Sequence, residues 1–425
     1  MKFRTLSSMT AILASMGVSY AVSAQSSEQV VSVYERQRPD YSVKGGRSGS
    51  FLFKPTLDVA GSFDTNIFAQ ESNETDDFIA RIKPGFDLSS DWNNNSLSFF
   101  GNADFGRYFD NTRENYEDIW LGASGRIDIS RGTSLSANIG YTDLHEDRGS
   151  PDALGQQANQ TTYSTFTAGV GFLRDEALVS FAANAKYEDS NYDDVGLVGG
   201  GTLNNDDRDR QRYSGDVRIG YEIDEFYEAF LRVSANRVEY DNSQEDGGPQ
   251  RNSDGYEIVA GAAFDLTGTS QGEVFAGYIN QEYDSDSLSD IGDFTFGASL
   301  LWNPTGLTSV RGAISRTVTE TIVADLDPTG APAQASGILG TVFDLQLEHE
   351  LQRNVLLKGT ATYIKQDFQN TVRDDDLFNA SLGASYLINR NFSFDATYTF
   401  NYRDTTTLRQ DFKRHIFMLG LKAKW

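Results

Sequence analysis

The amino-acid sequence predicts an all-β fold, a transmembrane antiparallel up-and-down β-barrel of about 18 strands with short periplasmic turns and long extracellular loops. Three observations support this prediction. Apolar and polar side chains alternate over segments of about a dozen residues, the connections between segments alternate between short and long, and the chain ends on an alternating strand with an aromatic residue. A period of two is typical of strands, and connections of alternating length are typical of bacterial outer-membrane barrels.

Residues 1–24 are a predicted signal peptide. Lys2 and Arg4 precede a short apolar run that ends in the small-x-small sequence VSA (22–24), before Gln25. An amphipathic first helix of the mature fold is the competing interpretation. It is disfavoured because the run is too short to span a bilayer and is followed by a Ser- and Gln-rich stretch. The mature protein is therefore expected to be exported.

Residues 25–50 are polar and contain Pro39, Gly45, Gly46 and Gly49, which predicts a flexible periplasmic lead-in without a core of its own. Residues 38–41 leave two further alternatives, a tether that docks on a partner and a partial plug folded into the lumen. A lead-in that only positions the first strand is preferred, since chain termini are commonly disordered unless they are tied down.

Residues 51–425 form the predicted barrel. Along one segment, apolar Phe394 and Tyr398 alternate with polar Asp395 and Arg403, and other segments repeat this pattern. An even number of strands places both ends of the barrel on the periplasmic side. The expected strands lie near residues 52–64, 77–90, 96–110, 116–130, 134–146, 161–174, 178–190, 211–223, 227–241, 253–266, 272–285, 291–302, 307–321, 337–351, 354–369, 376–388, 391–403 and 411–425.

The face opposite the apolar one is too rich in charge for the dry core of a soluble sandwich, where unpaired ions would be costly to bury. A water-filled lumen removes that cost, while the apolar face contacts lipid. The candidate channel-lining residues are Arg81, Lys83, Asp104, Trp120, Arg126, Asp128, Lys186, Asp216, Arg218, Glu222, Arg232, Asp265, Asp344, Lys358, Asp395 and Arg403.

Aromatic residues support the same topology. Three tryptophans fall at expected periplasmic strand ends on the outward face, where amphipathic rings collect at membrane interfaces: Trp92, Trp302 and Trp425. The outward residues of the last strand resemble the recognition signal read by the barrel assembly machinery: Phe417, Leu419, Leu421 and the terminal Trp425.

Composition excludes several functions. A net charge of −25 and a pI near 4.4 argue against nucleic-acid binding, which needs a basic surface. There is no Cys, and the three His residues lie far apart, so no metal site, cofactor or catalytic motif is predicted and the protein is not expected to be an enzyme. Asp-rich stretches such as residues 204–209 are interpreted as solvated loop carboxylates in preference to cation ligands.

The start of the mature chain resembles the family called putative β-barrel porin type two. The resemblance lies in RQRPDY (36–41), GRSGSFL (46–52), PTLDV (55–59) and DTNIFA (64–69). It implies an outer-membrane barrel associated with exopolysaccharide export, but it supplies no established site residues. The expected partners are outer-membrane lipid and lipopolysaccharide, the barrel assembly machinery and periplasmic polysaccharide-export components.

The expected function is a passive conduit in the bacterial outer membrane, with exopolysaccharide as its cargo. A general diffusion porin for small hydrophilic solutes and a surface structural or adhesive barrel remain alternatives. Trp120 could stack on a sugar ring or pack against an inward-folded loop, and both interpretations stay open. A sugar chain could slide over weak hydrogen-bonding groups in the lumen: Thr360, Thr362, Asn379, Ser381, Thr397, Thr399 and Asn401.

Overall fold

The structure is a computed structural model, and it describes residues 30–153, 157–176, 178–241, 248–266 and 269–425. The predicted signal peptide lies outside these residues and stays a prediction. Within the described ranges, no helix is long and apolar enough to cross a membrane.

Eighteen antiparallel strands form a closed ring. Each strand pairs with the next along the chain, and the last pairs with the first from Thr56 opposite Lys424 to Asp64 opposite Ile416. The strands are β1 Phe51–Asp64, β2 Asp77–Ser90, β3 Ser96–Tyr108, β4 Tyr116–Ser130, β5 Thr133–His145, β6 Thr162–Glu176, β7 Val179–Tyr192, β8 Arg210–Glu222, β9 Tyr227–Tyr240, β10 Ser253–Leu266, β11 Ser270–Tyr283, β12 Ile291–Thr305, β13 Thr308–Thr319, β14 Ile338–Gln352, β15 Val355–Phe368, β16 Asp374–Leu387, β17 Phe392–Thr405 and β18 Phe412–Lys424.

The predicted fold class is confirmed, and every predicted strand end lies within three residues of an observed one. The alternation behind the prediction is visible in the exposure of the side chains. On β16, for example, Phe378, Leu382 and Tyr386 are exposed, and the side chains between them point to the other face of the sheet. A strand with these two faces is stable where its apolar face contacts an apolar environment and its polar face contacts water or polar groups.

The two ends of the barrel differ. At one end, here called the turn end, even-numbered strands are joined to the next strand by short turns, such as Arg131 and Gly132 between β4 and β5. Gly132 has a φ of +78°, a backbone conformation that favours glycine. The other end, the loop end, carries the long connections, among them residues 146–161, 193–209 and 320–337.

The long connections contain short elements that the sequence analysis did not predict. Two of them are 3₁₀ turns, and two others are small antiparallel hairpins at the loop end. These elements are Thr112–Glu114, Asp206–Arg208, Val195–Gly196 with Thr202–Leu203, and Ala324–Leu326 with Pro332–Gln334.

The lead-in is ordered where the structure describes it, which differs from the expected flexible segment. Val30 and Val33 are buried, and a 3₁₀ turn runs over Val33–Glu35. A short strand, Gly46–Ser48, pairs with the first residues of β1. The reason is tertiary: backbone amides of this segment donate to side chains on strands that follow it by 276 and 314 residues.

Candidate pore

The polar face of the barrel carries most of the predicted lining residues, and many of them are paired there. Asp104 is 2% exposed, and two basic side chains on the neighbouring strand β2 contact its carboxylate. Arg81 donates to both carboxylate oxygens of Asp104, and Lys83 Nζ lies 3.0 Å from its Oδ2. The sequence analysis placed these three residues on one face, and the structure brings them into one cluster.

Further pairs follow along strands β4 to β8. Arg126 Nε donates to Asp128 Oδ1 at 2.7 Å, and Lys186 Nζ donates to Glu188 Oε2 at 2.7 Å. Asp216 accepts a hydrogen bond of 3.0 Å from the side-chain amide of Asn184. In each case the partner lies on the same strand or on the adjacent one, because side chains of one face are neighbours there.

Two arginines on β8 and β9 lie between a carboxylate and an aromatic ring. Arg218 is 2.6 Å from Glu228 and its guanidinium lies 4.1 Å from the ring centre of Phe230. Arg232 is 3.6 Å from Glu257 and 4.6 Å from the ring centre of Phe275. Such stacking holds the guanidinium against the wall and limits its reach into the lumen.

The remaining candidates differ in their surroundings. Asp344 accepts from the Thr362 hydroxyl at 2.6 Å, and Asp395 accepts from Ser385. Lys358 Nζ lies 6.0 Å from the ring centre of Tyr34 in the lead-in.

Three further candidates are Trp120, Glu222 and Asp265. Trp120 is half-buried, opposite Asn102 and Thr142 on the neighbouring strands. Glu222 is half-buried at the end of β8, and Asp265 has a buried carboxylate oxygen that accepts no hydrogen bond from the residues that the structure describes.

An uncharged patch lies on the same face of β15, β16 and β17. Thr360 lies opposite Ser381, and Ser381 lies opposite Thr399 on the next strand. Thr362, Asn379 and Asn401 form a second row beside the first. We call these six residues the hydroxyl patch; they were predicted individually, and the strand register places them side by side.

The connection between β5 and β6 crosses the interior of the ring, and residues 146–153 are here called the crossing loop. Asp147 Oδ2 lies 2.9 Å from Arg414 on β18, and the same guanidinium is 2.6 Å from Asp64 at the end of β1. Asp64 is 1% exposed and the Arg414 side chain is 8% exposed, so the ion pair that these two form is almost completely removed from solvent.

The crossing loop also reaches other walls. Arg403 on β17 donates to the carbonyl oxygen of Gly149 at 3.1 Å. Asp152 accepts from the Thr321 hydroxyl at 2.7 Å and from the Ile322 amide at 3.2 Å, both in the connection after β13. Since β5 and β13 are eight strands apart in a ring of 18, this contact joins loop-end connections from distant parts of the ring.

Buried arginines attach the crossing loop to its neighbours at the loop end. Arg148 makes a two-pronged contact with Glu114, with distances of 2.9 and 2.6 Å, and Arg208 contacts Glu146 in the same way at 3.1 and 2.7 Å. Burial works against the charge of Arg208, but the Glu146 carboxylate outweighs it, so the guanidinium pKa lies above its ordinary value. Two-pronged ion pairs between arginine and a carboxylate have a defined geometry, so these contacts hold the crossing loop in place.

Arg403 was predicted to line the channel, but its position in the structure differs from that role. It is 5% exposed and donates to the carbonyl oxygens of Gly149 and Gln410, so it holds loops at the loop end. The sequence analysis noted Asp64 only as part of the motif DTNIFA (64–69) and did not single out Asp147 or Arg414. Their ion pairs have no local signal, because the partners are 350 and 267 positions apart along the chain.

At the turn end, residues 30–38, here called the docked segment, lie against the polar face. The Val33 amide donates to Ser309 Oγ at 2.9 Å, and the Tyr34 amide donates to Glu348 Oε2 at 2.9 Å. Arg38 donates to Glu350 at 2.7 Å.

The docked segment also contacts other residues of the wall. Glu35 lies 3.5 Å from Arg311, and the side-chain amide of Asn303 donates to the Val31 carbonyl at 3.1 Å. Burial raises the pKa of the Tyr34 phenol, and the negative charge of Glu348 adds to this effect, whereas a hydrogen bond to Ser385 opposes it. The segment therefore contacts strands from β12 to β16.

The predicted outward aromatics are exposed near the turn end. Trp92, Trp302 and Trp425 are each between 44% and 48% exposed, and the Trp425 amide donates to the Pro55 carbonyl beside the seam between β1 and β18. On β18 the exposed residues share one face: Phe417, Leu419 and Leu421. Among the residues that the structure describes, no group of three or more His, Asp or Glu side chains is placed to hold a metal ion.

A closed antiparallel barrel with an apolar outer face and a polar inner wall defines the class of porin-like barrels. The chain belongs to the family described as "Putative beta-barrel porin 2", which matches residues 38–425. This agrees with the resemblance seen in residues 36–69 and extends it to the end of the chain. No curated protein matches the sequence.

Solved structures with a similar shape include a mutant of the ferric enterobactin receptor PfeA from Pseudomonas aeruginosa, with 8% identity over 88% of this chain and 80% of that chain and a TM-score of 0.49. The siderophore receptor PiuA from Acinetobacter baumannii has 11% identity, coverages of 90% and 82%, and a TM-score of 0.48. OccK1 (OpdK) from P. aeruginosa has 10% identity, coverages of 88% and 99%, and a TM-score of 0.42.

Proposed function

We propose that the protein is a passive conduit in the bacterial outer membrane and that its cargo is an exported polysaccharide. The observation that carries this proposal is the hydroxyl patch, which offers uncharged donors and acceptors in two adjacent rows on the inner wall. Elsewhere on the wall, many charges are paired with each other, which weakens selection by net charge. A wall of this kind suits a long, neutral or mixed polar chain that must slide without binding tightly.

The lipid and assembly partners follow from the outer face. Outer-membrane lipid and lipopolysaccharide would contact the exposed apolar band, and Trp92, Trp302 and Trp425 would lie at its periplasmic border. The barrel assembly machinery would read the last strand. Periplasmic polysaccharide-export components would supply the chain at the turn end.

Removing the hydroxyls of the patch is expected to reduce export. In a strain that lacks the chromosomal copy, T360V/S381A/T399V should secrete several-fold less polysaccharide than the wild-type gene, because three adjacent sites for hydrogen bonding are lost. The measurement is extracellular carbohydrate per cell, together with heat-modifiable gel migration to confirm a folded barrel. The control is T165V/S190A on β6 and β7, a hydroxyl pair away from the patch.

Unchanged polysaccharide secretion in the deletion strain would contradict the proposed cargo. A general diffusion porin is the second candidate, which the family description favours. Swelling of proteoliposomes in small sugars, in the absence of any secretion defect, would establish that candidate. Lost attachment of cells with unaltered permeability would instead favour a structural or adhesive barrel.

The proposed membrane placement predicts a difference between two adjacent residues on β16. Leu382 is 67% exposed on the outer face, and L382R should lower the free energy of unfolding in lipid by about 2–4 kcal/mol if the residue lies near the midplane. S381R, on the inner wall, should have a much smaller effect because its charge meets water. Unfolding in urea from lipid vesicles measures both, and equal effects would contradict the placement.

A further inference from the structure

The docked segment occupies a defined place in the proposed path. Its partners Ser309 and Glu348 are 2% and 3% exposed, and they belong to β13 and β14 near the turn end. Tyr34 faces Ser385 on β16, the same strand and the same face as Ser381 of the hydroxyl patch. A polar chain that enters from the turn end would reach the patch along the wall that the segment covers.

We propose that residues 30–38 are a self-inhibitory plug that covers this wall at the turn-end mouth and leaves it when the conduit opens. The proposal rests on the proposed function as a conduit, but not on the identity of the cargo.

The contacts of the segment are suited to reversible docking. Val30, Ser32 and Val33 are buried, and the other contacts with the wall are single hydrogen bonds and ion pairs near the turn end. The ion pair between Arg38 and Glu350 is 12% and 16% exposed, and the contact of Glu35 with Arg311 is longer and more exposed. The segment is attached by these separate contacts and not by a ladder of sheet hydrogen bonds, so it can open as a unit at a lower free energy than the barrel strands.

The connection behind the segment allows it to leave without disturbing the barrel. The strand Gly46–Ser48 remains paired with β1, and Gly45 just before it has a φ of +72°. A Cβ atom at Gly45 would lie 2.8 Å from the carbonyl oxygen of Phe53, so only glycine fits this bend. The bend therefore separates a fixed strand from a segment held by side-chain contacts.

Cysteine labelling tests the plug directly, because the native chain has no cysteine. S309C reports the covered wall, and S214C on β8 reports a half-buried inner position outside the contacts of the segment. In purified protein in lipid vesicles, a charged maleimide should modify S309C about tenfold or more slowly than S214C, since labelling of a covered group follows the population of its open form.

V33D should accelerate labelling of S309C about tenfold, because it places a carboxylate at a completely buried position close to Glu348. The matched control is V43D, which makes the same change in the connection between the docked segment and the strand Gly46–Ser48. Deletion of residues 30–38 should act like V33D. Both variants alter only the segment, so the barrel strands remain intact.

Single-channel conductance in KCl should rise several-fold in V33D and in the deletion, and it should stay unchanged in V43D. The proposal is overturned if S309C reacts as fast as S214C in the otherwise native protein, if V33D and the deletion leave its rate unchanged, or if labelling accelerates while conductance does not. Neither readout uses polysaccharide. A missing export phenotype would therefore overturn the cargo and leave the plug standing.

Discussion

R414M is expected to lower the free energy of unfolding by about 3–5 kcal/mol, the usual cost of removing one partner from a buried ion pair. Arg414 is the partner of Asp64, which is 1% exposed, and of Asp147 in the crossing loop. Without the guanidinium, Asp64 must stay charged without its partner or take up a proton in a closed site. The crossing loop also loses one of its attachments to the wall, so conductance should increase.

Thermal unfolding in detergent, followed by heat-modifiable migration, measures this effect. R107M is the matched control, because Arg107 pairs with Glu117 where both side chains are about half exposed. An exposed pair contributes about 0–1 kcal/mol, so R107M should unfold close to the wild-type temperature. Similar losses in both variants would contradict the account. D64N in the R414M background should recover part of the loss by removing the isolated charge.

G277A is expected to destabilise the barrel by about 1–3 kcal/mol, the cost of forcing an extra group into a filled space. Gly277 lies on β11 opposite Val259 of β10. A Cβ atom there would meet the carbonyl oxygen of Ile258 and lie 2.7 Å from the Cα of Val259. Both are backbone atoms, so the strands themselves would have to move apart.

G312A on β13 is the control for loss of glycine flexibility alone. Its Cβ atom would have its nearest neighbour, the carbonyl oxygen of Asp344, at 4.0 Å. This change should be neutral or slightly stabilising, because alanine restricts the unfolded chain. Unfolding in urea from lipid vesicles measures both variants. Equal stability of G277A and G312A would contradict the prediction, because it would show that the close approach of β10 and β11 at Gly277 does not contribute to stability.

Local alternation was sufficient to predict the strands. β17, expected at 391–403, is observed at Phe392–Thr405, with Phe394 exposed and Ser393 buried on the other face. The same local rule placed Arg81, Lys83 and Asp104 on one face, and the register then made them a cluster. The expected lead-in and the expected role of Arg403 did not follow this rule, because both depend on contacts with distant parts of the chain.

The sequence by itself determined the class of fold, the number of strands and the polar character of the wall, because each follows from neighbours along the chain. Only the tertiary structure decided which segments of the chain cover the inner face of that wall. Arg414 pairs with residues 350 and 267 positions away, and Val33 bonds to a residue 276 positions away. Ring closure brings such residues together, and no local periodicity records it, so the crossing loop and the docked segment appear only in the folded chain.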